Sequence, residues 1–261
     1  MSMAHRKIIQ RYYSKRAQDY DRQKIRTWKS KLGFEAKILN EVVNAVSQVK
    51  DGRILEVGVG SGRVALSLMK ELASQFIGLD LSKEMLKIAQ KKMSPYKQKF
   101  NLLLGDAEHL PFRNKVFDTI TCISTLHYLP SPQTSLEESS RTLKKRGVFV
   151  YGDVIMHEQD HNNFLDKLEK TISHAHVKYY RPSEMKKLME NCGIQVHKVE
   201  VVPYKKSYSA LIEDKAQYFN IKPQNLYQTI REATENERKL YSIEKNQMTL
   251  FYTLIKGLKQ N

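Results

Sequence analysis

Residues 54–62 read Ile-Leu-Glu-Val-Gly-Val-Gly-Ser-Gly, a short apolar, β-rich run that ends in three alternating glycines and enters a helical pattern from about Gly62 to Ala73. A strand that turns through glycines into a helix lets a ligand come close to the backbone, because no Cβ intervenes. The alternation then repeats. Residues 75–80 read as a second strand and Leu81 to Met93 as a helix; 100–105 form a third strand. Residues 116–124 form a fourth strand, 135–145 a helix and 147–155 a fifth strand. Continuous apolar strands separated by helices call for a parallel sheet covered on both faces. The expected fold class is α/β, Rossmann-like and doubly wound, with a ligand crevice beyond the carboxyl ends of the central strands.

The flanks are more varied. Ile8, Ile9, Tyr12 and Tyr13 sit at helical spacing, and Leu32 to Val46 repeats that period. Residues 181–193 read as a helix capped at Ser183 and ended by Gly193, and 194–202 alternate like a strand. Tyr208 to Tyr241 is a tyrosine-rich helical insertion, and 248–257 read as a final strand.

A chain of 261 residues, 41% of them hydrophobic, suffices for one α/β core. No apolar run approaches the roughly 20 residues of a membrane-spanning helix. The first residues lack the pattern of a secretory signal, so the expectation is a soluble, cytoplasmic protein. Cys122 and Cys192 form no CxxC pair, which excludes a disulfide framework, a zinc ribbon and an iron–sulfur cluster. The formal charge of +16 favours anionic partners. The lysines are spread along the chain among glutamates, as on solvated helix faces, so a dedicated nucleic-acid surface is disfavoured.

Three loops carry the candidate chemistry. In the first, the third glycine follows the second by two residues, and the position a dinucleotide turn reserves for glycine holds Arg63. Glu56, two residues before Gly58, sits poorly beside a pyrophosphate and suits a ligand with an ammonium group. In the second, Asp80 ends a strand, where a carboxylate accepts hydrogen bonds from both ribose hydroxyls. In the third, Asp106 and Ala107 follow the third strand, where an adenine would lie.

With these motifs, and with residues 117–129 followed by a helix ending in Arg-Thr-Leu-Lys-Lys-Arg-Gly, the sequence resembles the class I S-adenosylmethionine-dependent methyltransferases. It is most similar to the branch of the ubiquinone/menaquinone methyltransferases and their small-molecule relatives, the type 11 branch. The resemblance covers about Gly52 to Val154 and more loosely extends to Gly193. It implies a seven-stranded, mostly parallel sheet with an antiparallel last strand. It implies S-adenosylmethionine as cofactor and S-adenosylhomocysteine as product. Glu56 would meet the methionine ammonium group; Gly58, Gly60 and Gly62 would line the methionine and ribose. Asp80 would hold the ribose, Leu81 and Met85 flank the adenine, and Asp106 and Ala107 bind its edge. Backbone around Ile123 and Ser124 would support the methionine end, and Tyr20, on a mobile lid helix, would close over the donor. Where many relatives have Pro-Gly-Gly, this chain has Lys145, Arg146 and Gly147.

The chain then reads as one methyltransferase domain, monomeric or homodimeric: a helical lid at 1–48, a cofactor-binding core at 49–155 and a substrate side at 156–261 with an insertion at about 207–242. The expected acceptor is a small or lipid-like molecule, and an aromatic, quinol-like one suits the rings near Tyr204, Tyr208, Tyr218, Phe219 and Tyr227. His127 is the first candidate for deprotonating or orienting the acceptor, with packing as the other reading. Asp153 is the second, with a helix cap as its other reading. The rival readings are an RNA, tRNA or protein methyltransferase, favoured by charge, and a non-catalytic S-adenosylmethionine binder. The remote one is a zinc hydrolase through His157-Glu-Gln-Asp-His161; no metal ligand is expected, because this run follows directly on a strand where a turn belongs.

Overall fold

The computed structural model describes residues 2–28, 34–47, 52–71, 75–96, 100–213 and 222–260, with the side chains of 18–28, 34, 35, 71, 212 and 213 left out of the description. Two helices, α1 (Met3–Trp28) and α2 (Phe34–Val46), precede the sheet. Then come β1 (Arg53–Val57), α3 (Arg63–Glu71), β2 (Gln75–Asp80), α4 (Lys83–Met93), β3 (Phe100–Leu104) and β4 (Phe117–Ile123). They are followed by α5 (Pro132–Thr142), β5 (Leu143–Ile155), α6 (Phe164–Ile172), α7 (Pro182–Asn191) and β6 (Ile194–Ser207). The chain closes with α8 (Tyr208–Glu213), α9 (Pro223–Arg231), α10 (Glu235–Leu240) and β7 (Gln247–Lys259).

These strands form one seven-stranded sheet in the order β3-β2-β1-β4-β5-β7-β6. β7 is antiparallel to both its neighbours, and the other pairings are parallel. From β1 the chain builds outward to β2 and β3, then returns to lay β4 on the other side of β1. The crossovers diverge at that point and leave a crevice beyond the carboxyl ends of β1 and β4.

The core explains why β1 and β4 read as unbroken apolar runs. Ile54 packs on one face with Val42, Leu68, Phe76, Ala89 and Met93. Leu55, its neighbour, packs on the opposite face with Phe117, Ile120, Leu136, Phe149 and Met185. A third cluster lies beside the sheet, where Leu165, Leu168 and Ile172 of α6 meet Tyr208, Leu226, Ile230 and Tyr241.

Several boundaries differ from the sequence reading. α5 starts at Pro132 and stops at Thr142, so Lys144 and Lys145 belong to β5. Proline is suited to a first helical turn, where its missing N–H is not needed. Beside β4, the N–H groups of Lys115 and Val116 donate to the carbonyls of Arg141 and Thr142, and Lys144 Nζ donates to Asp118 at 2.8 Å, which draws the segment into the sheet. α7 is capped at Arg181, not Ser183: the Glu184 carboxylate accepts from the Arg181 N–H at 2.9 Å. Ser183 is spent on Glu158, to which its N–H and hydroxyl donate at 2.8 and 2.7 Å. β6 runs five residues past Val202 because β7 pairs with it as far as Ser207. Among the described residues no helix is long and apolar enough to cross a membrane.

Candidate active site

After β1 the chain turns through Gly58 (φ 76°), Gly60 (φ 53°) and Gly62 (φ 76°), a left-handed conformation that strains any residue with a Cβ. The three glycines serve different ends. A Cβ on Gly58 would lie 2.1 Å from Thr125 Oγ1, so the end of β4 closes directly on the loop. A Cβ on Gly62 would press on Met93 Sδ at 3.0 Å and Ala89 Cβ at 3.2 Å, so this glycine lets α4 approach. Around Gly60 nothing lies within 4 Å, and its backbone faces open space.

That space is a cleft of about 840 Å³, counting the part open to solvent. Glu56, Gly58, Val59, Gly60 and Ser61 line it from the first loop, and Leu79, Asp80, Leu81 and Met85 from the second. Gly105, Asp106 and Ala107 come from the third, and Ile123, Ser124, Thr125, Tyr128 and Leu129 from the fourth. Ten of the sequence candidates thus meet in one cleft: Glu56, Gly58, Gly60, Asp80, Leu81, Met85, Asp106, Ala107, Ile123 and Ser124. Gly62 is not among the lining residues, for the packing reason just given. The side chain of Tyr20 lies outside the described residues.

A buried carboxylate, Glu56, and a half-buried one, Asp80, face the cleft. Glu56 is 2% exposed and its Oε2 has no hydrogen-bond partner. Burial pushes its carboxyl well above the usual range, opposed by the Arg63 guanidinium and reinforced by Asp80. Asp80 accepts the Gly60 N–H at 2.7 Å and the Ser82 N–H at 2.8 Å, yet burial still pushes it up to about 6. Charged oxygens held this way are costly until a ligand donates to them. A cradle of exposed glycine backbone, an orphaned carboxylate oxygen and a second carboxylate on the neighbouring strand fit an amino-acid-bearing nucleoside.

α1 roofs the cleft with Ile9 and Tyr13. Its first half is tied down: His5 Nε2 lies 2.8 Å from the Tyr128 carbonyl, Gln10 donates to the Leu81 carbonyl at 3.2 Å, and Ser14 donates to Glu84 at 2.7 Å. Arg6 pairs with Asp106 Oδ2, while Asp106 Oδ1 accepts the Glu108 N–H at 3.0 Å. In the sequence Ile9 stands out only by its helical spacing, and Arg6 does not stand out at all. Nothing local names Asp106 as its partner.

His127 and Asp153 come together, but neither lines the cleft. His127 sits on the turn after β4, buried behind Tyr128 with ring centroids 3.9 Å apart. Its Nδ1 lies 2.8 and 2.9 Å from the two oxygens of the fully buried Asp153. Asp153 caps no helix: it lies within β5 and takes its next N–H, of Val154, at 2.9 Å. Cys122 is buried in β4, and burial pushes its thiol up, away from nucleophilic use. Ser124 holds φ 53°, a strained value for a non-glycine, and its Oγ lies 3.1 Å from Tyr252 Oη across the cleft wall.

The His157–His161 run is a turn that starts α6. Asp160 accepts the N–H groups of Phe164 and Leu165 and the Tyr241 hydroxyl, and Glu158 holds Ser183. Among the described residues no group of three or more His, Cys, Asp or Glu side chains is placed to hold a metal. Of the insertion's rings, Tyr208 is core beneath α6 and Tyr227 is 40% exposed; neither lines the cleft. Tyr218 and Phe219 lie outside the described residues.

A family described as "Methyltransferase domain", the type 11 group, matches residues 55–151, from β1 into β5. A ubiquinone biosynthesis O-methyltransferase of Vibrio cholerae is 26% identical over 164 residues, covering 60% of this chain and 66% of that protein. A demethylmenaquinone methyltransferase of Thermotoga maritima is 31% identical over 120 residues, 46% of this chain and 51% of that one. In fold, the YcgJ protein from Bacillus subtilis superposes with a TM-score of 0.77 at 23% identity, over 85% of this chain and 98% of its own. The sheet has the fold of these solved structures, and residues 55–151, which carry the glycine loop, match the methyltransferase domain of the type 11 group, a class I S-adenosylmethionine-dependent core.

Proposed function

We propose that the cleft binds S-adenosylmethionine and that the enzyme transfers its methyl group to a small, lipid-like acceptor of aromatic, quinol-like character, leaving S-adenosylhomocysteine. When bound, the cofactor supplies an electrophilic methyl group on a sulfonium centre. The observation that carries this reading is Glu56, whose unpartnered Oε2 at the cleft floor answers an ammonium group. Asp80 lines the cleft and, beyond the Gly60 and Ser82 N–H groups, retains lone pairs for ribose hydroxyls. Met85 and Leu81 supply apolar flanks for a base whose edge meets Ala107 and Asp106. The acceptor class is supported by the names of the Vibrio and Thermotoga relatives, both of which act in quinone chemistry.

The chain's own part in methyl transfer is positioning and exclusion of water, under the roof of Ile9 and Tyr13. Where the acceptor is a phenol, a proton must also leave. His127 is the candidate for that: Asp153 fixes its Nδ1 and leaves Nε2 as the accepting nitrogen, and because the ring sits behind Tyr128 the role requires an acceptor that reaches past Tyr128. Calorimetry with S-adenosylmethionine and with NAD, followed by transfer of a labelled methyl group to a quinol precursor or a metabolite extract, tests the proposal. Binding of NAD in preference sinks the cofactor; binding without transfer makes the chain a sensor. His127→Gln that leaves turnover unchanged removes the proton-accepting role.

A further inference from the structure

We propose that α1 and α4 together form a docking face for an anionic lipid surface beside the mouth of the cleft. Lys7, Arg11 and Lys15 follow one another at four-residue spacing on α1, and Lys83, Lys87 and Lys91 do the same on α4. Four-residue spacing stacks side chains on one face of a helix. All six are exposed, and none forms a salt bridge among the described residues. The two helices pack against each other, joined by Ser14 to Glu84 and by Gln10 to the Leu81 carbonyl, so the two cationic ridges run on adjoining helices.

Few acids accompany this charge in the sequence. Residues 2–17 contain none, α1 has Asp19 and Asp21 further along, and Glu84 is the only one in α4. Glu84 is held by Ser14, and Lys87 and Lys83 add to the pull that lowers its carboxyl below the usual range. Scattered lysines on a solvated face ordinarily alternate with acids, as elsewhere in this chain. Here six exposed cations stand beside Glu84 alone over residues 2–17 and 83–93.

What separates a lipid surface from a nucleic acid is the apolar part of the same face. Met3 is 79% exposed and Ile8 is 40% exposed, beside the cations of α1. A bilayer receives both: headgroups attract the lysines and arginine, and the acyl boundary receives the apolar side chains. A phosphate backbone has no place for Met3 and Ile8. The inner side of the same helix carries Ile9 and Tyr13, which roof the cleft. Docking through the outer side therefore sets the cleft mouth at the bilayer, where a lipid-like acceptor resides.

The test is flotation of the full chain with vesicles of phosphatidylglycerol and phosphatidylcholine, against phosphatidylcholine alone, with neither methyl donor nor acceptor present. The wild-type protein is expected to float with the anionic vesicles only and to be released by high salt. Reversing one ridge (Lys7→Glu, Arg11→Glu, Lys15→Glu) or the other (Lys83→Glu, Lys87→Glu, Lys91→Glu) lowers partitioning by roughly a hundredfold, about fivefold per cation. Ile8→Ser weakens it further without altering charge. Unchanged S-adenosylmethionine affinity in these variants reports an intact fold. Absence of flotation at low salt, or equal flotation of the reversed variants, overturns the proposal. Loss of RNA-oligonucleotide binding in the same variants, without vesicle binding, reassigns the face to nucleic acid. Because donor and acceptor are absent, failure here leaves the methyltransferase reading standing, and failure of that reading leaves vesicle binding intact.

Discussion

In the helical half that follows β5, the Asp160 carboxylate takes two backbone N–H groups, at 2.9 and 3.1 Å, and the Tyr241 hydroxyl at 2.7 Å. Asp166 takes His176 and the Tyr179 N–H, both at 2.7 Å. At the floor of the cleft, Glu56 is as deeply buried but its Oε2 is the one buried carboxylate oxygen without a partner among the described residues. The two regions spend buried charge differently. A satisfied carboxylate fixes the start of a helix and stays silent toward ligands; an unsatisfied one stores a cost that only a bound donor removes.

Substitutions separate the two cases. Asp160→Ala orphans three donors and should cost about 3–5 kcal/mol of stability, measured by urea unfolding. The affinity of the folded protein for S-adenosylmethionine should stay within about twofold, because the cleft does not share those donors. An equal loss of affinity would show that the helical half and the cleft are one cooperative unit.

Glu56→Gln should act in the opposite sense. Loss of a charge-assisted contact to the ammonium group should weaken binding by about a hundredfold, read by calorimetry. The ligand-free protein should melt higher at neutral pH than the wild type. A carboxyl raised by burial stabilises the fold while protonated, and that contribution is lost as pH rises through its folded value; glutamine never ionises. A lower melting temperature at neutral pH would mean that Glu56 is already paired.

Asp80 gives a milder, pH-dependent form of the same behaviour. With its carboxyl at about 6 in the ligand-free cleft, ligand affinity should fall on acidification below that value, by up to about tenfold per pH unit. The ligand-free fold should gain stability over the same interval, between the ordinary aspartate value and about 6. Asp80→Asn should flatten both profiles. The smallest effect is expected at α1: Ser14→Ala removes one contact to Glu84 and should weaken donor binding about threefold, mainly through faster release.

The cofactor side was legible in the residues because its geometry is local. Gly58 and Gly60 are written into the chain by backbone angles that side chains resist, and β1, β2 and β4 by apolar runs that only a sheet covered on both faces accommodates. Asp80 and Asp106 stand where strands end, so their place followed from the strands. Gly62 belongs to the same motif, but its neighbour is α4, thirty residues on, and its packing role shows only in the fold.

The other side was much less legible, for the same physical reason in reverse. Its tyrosines have helical spacing, and spacing alone does not tell a core from a pocket wall; Tyr208 and Tyr241 turned out to pack under α6. The Ser183 cap was lost to Arg181 and Glu184 because Glu158, twenty-five residues away, claims the serine.

Local backbone demand and periodic burial were enough to define the class of fold, the cradle and two acids at its rim. Pairings across long stretches of chain were settled by packing alone: Arg6 on Asp106, Asp153 behind His127, α1 laid against α4. Such contacts, which turn Arg6 and Arg16 of α1 inward and leave Lys7, Arg11 and Lys15 outward, depend on which surfaces meet when the sheet closes, and no short window of residues encodes that meeting.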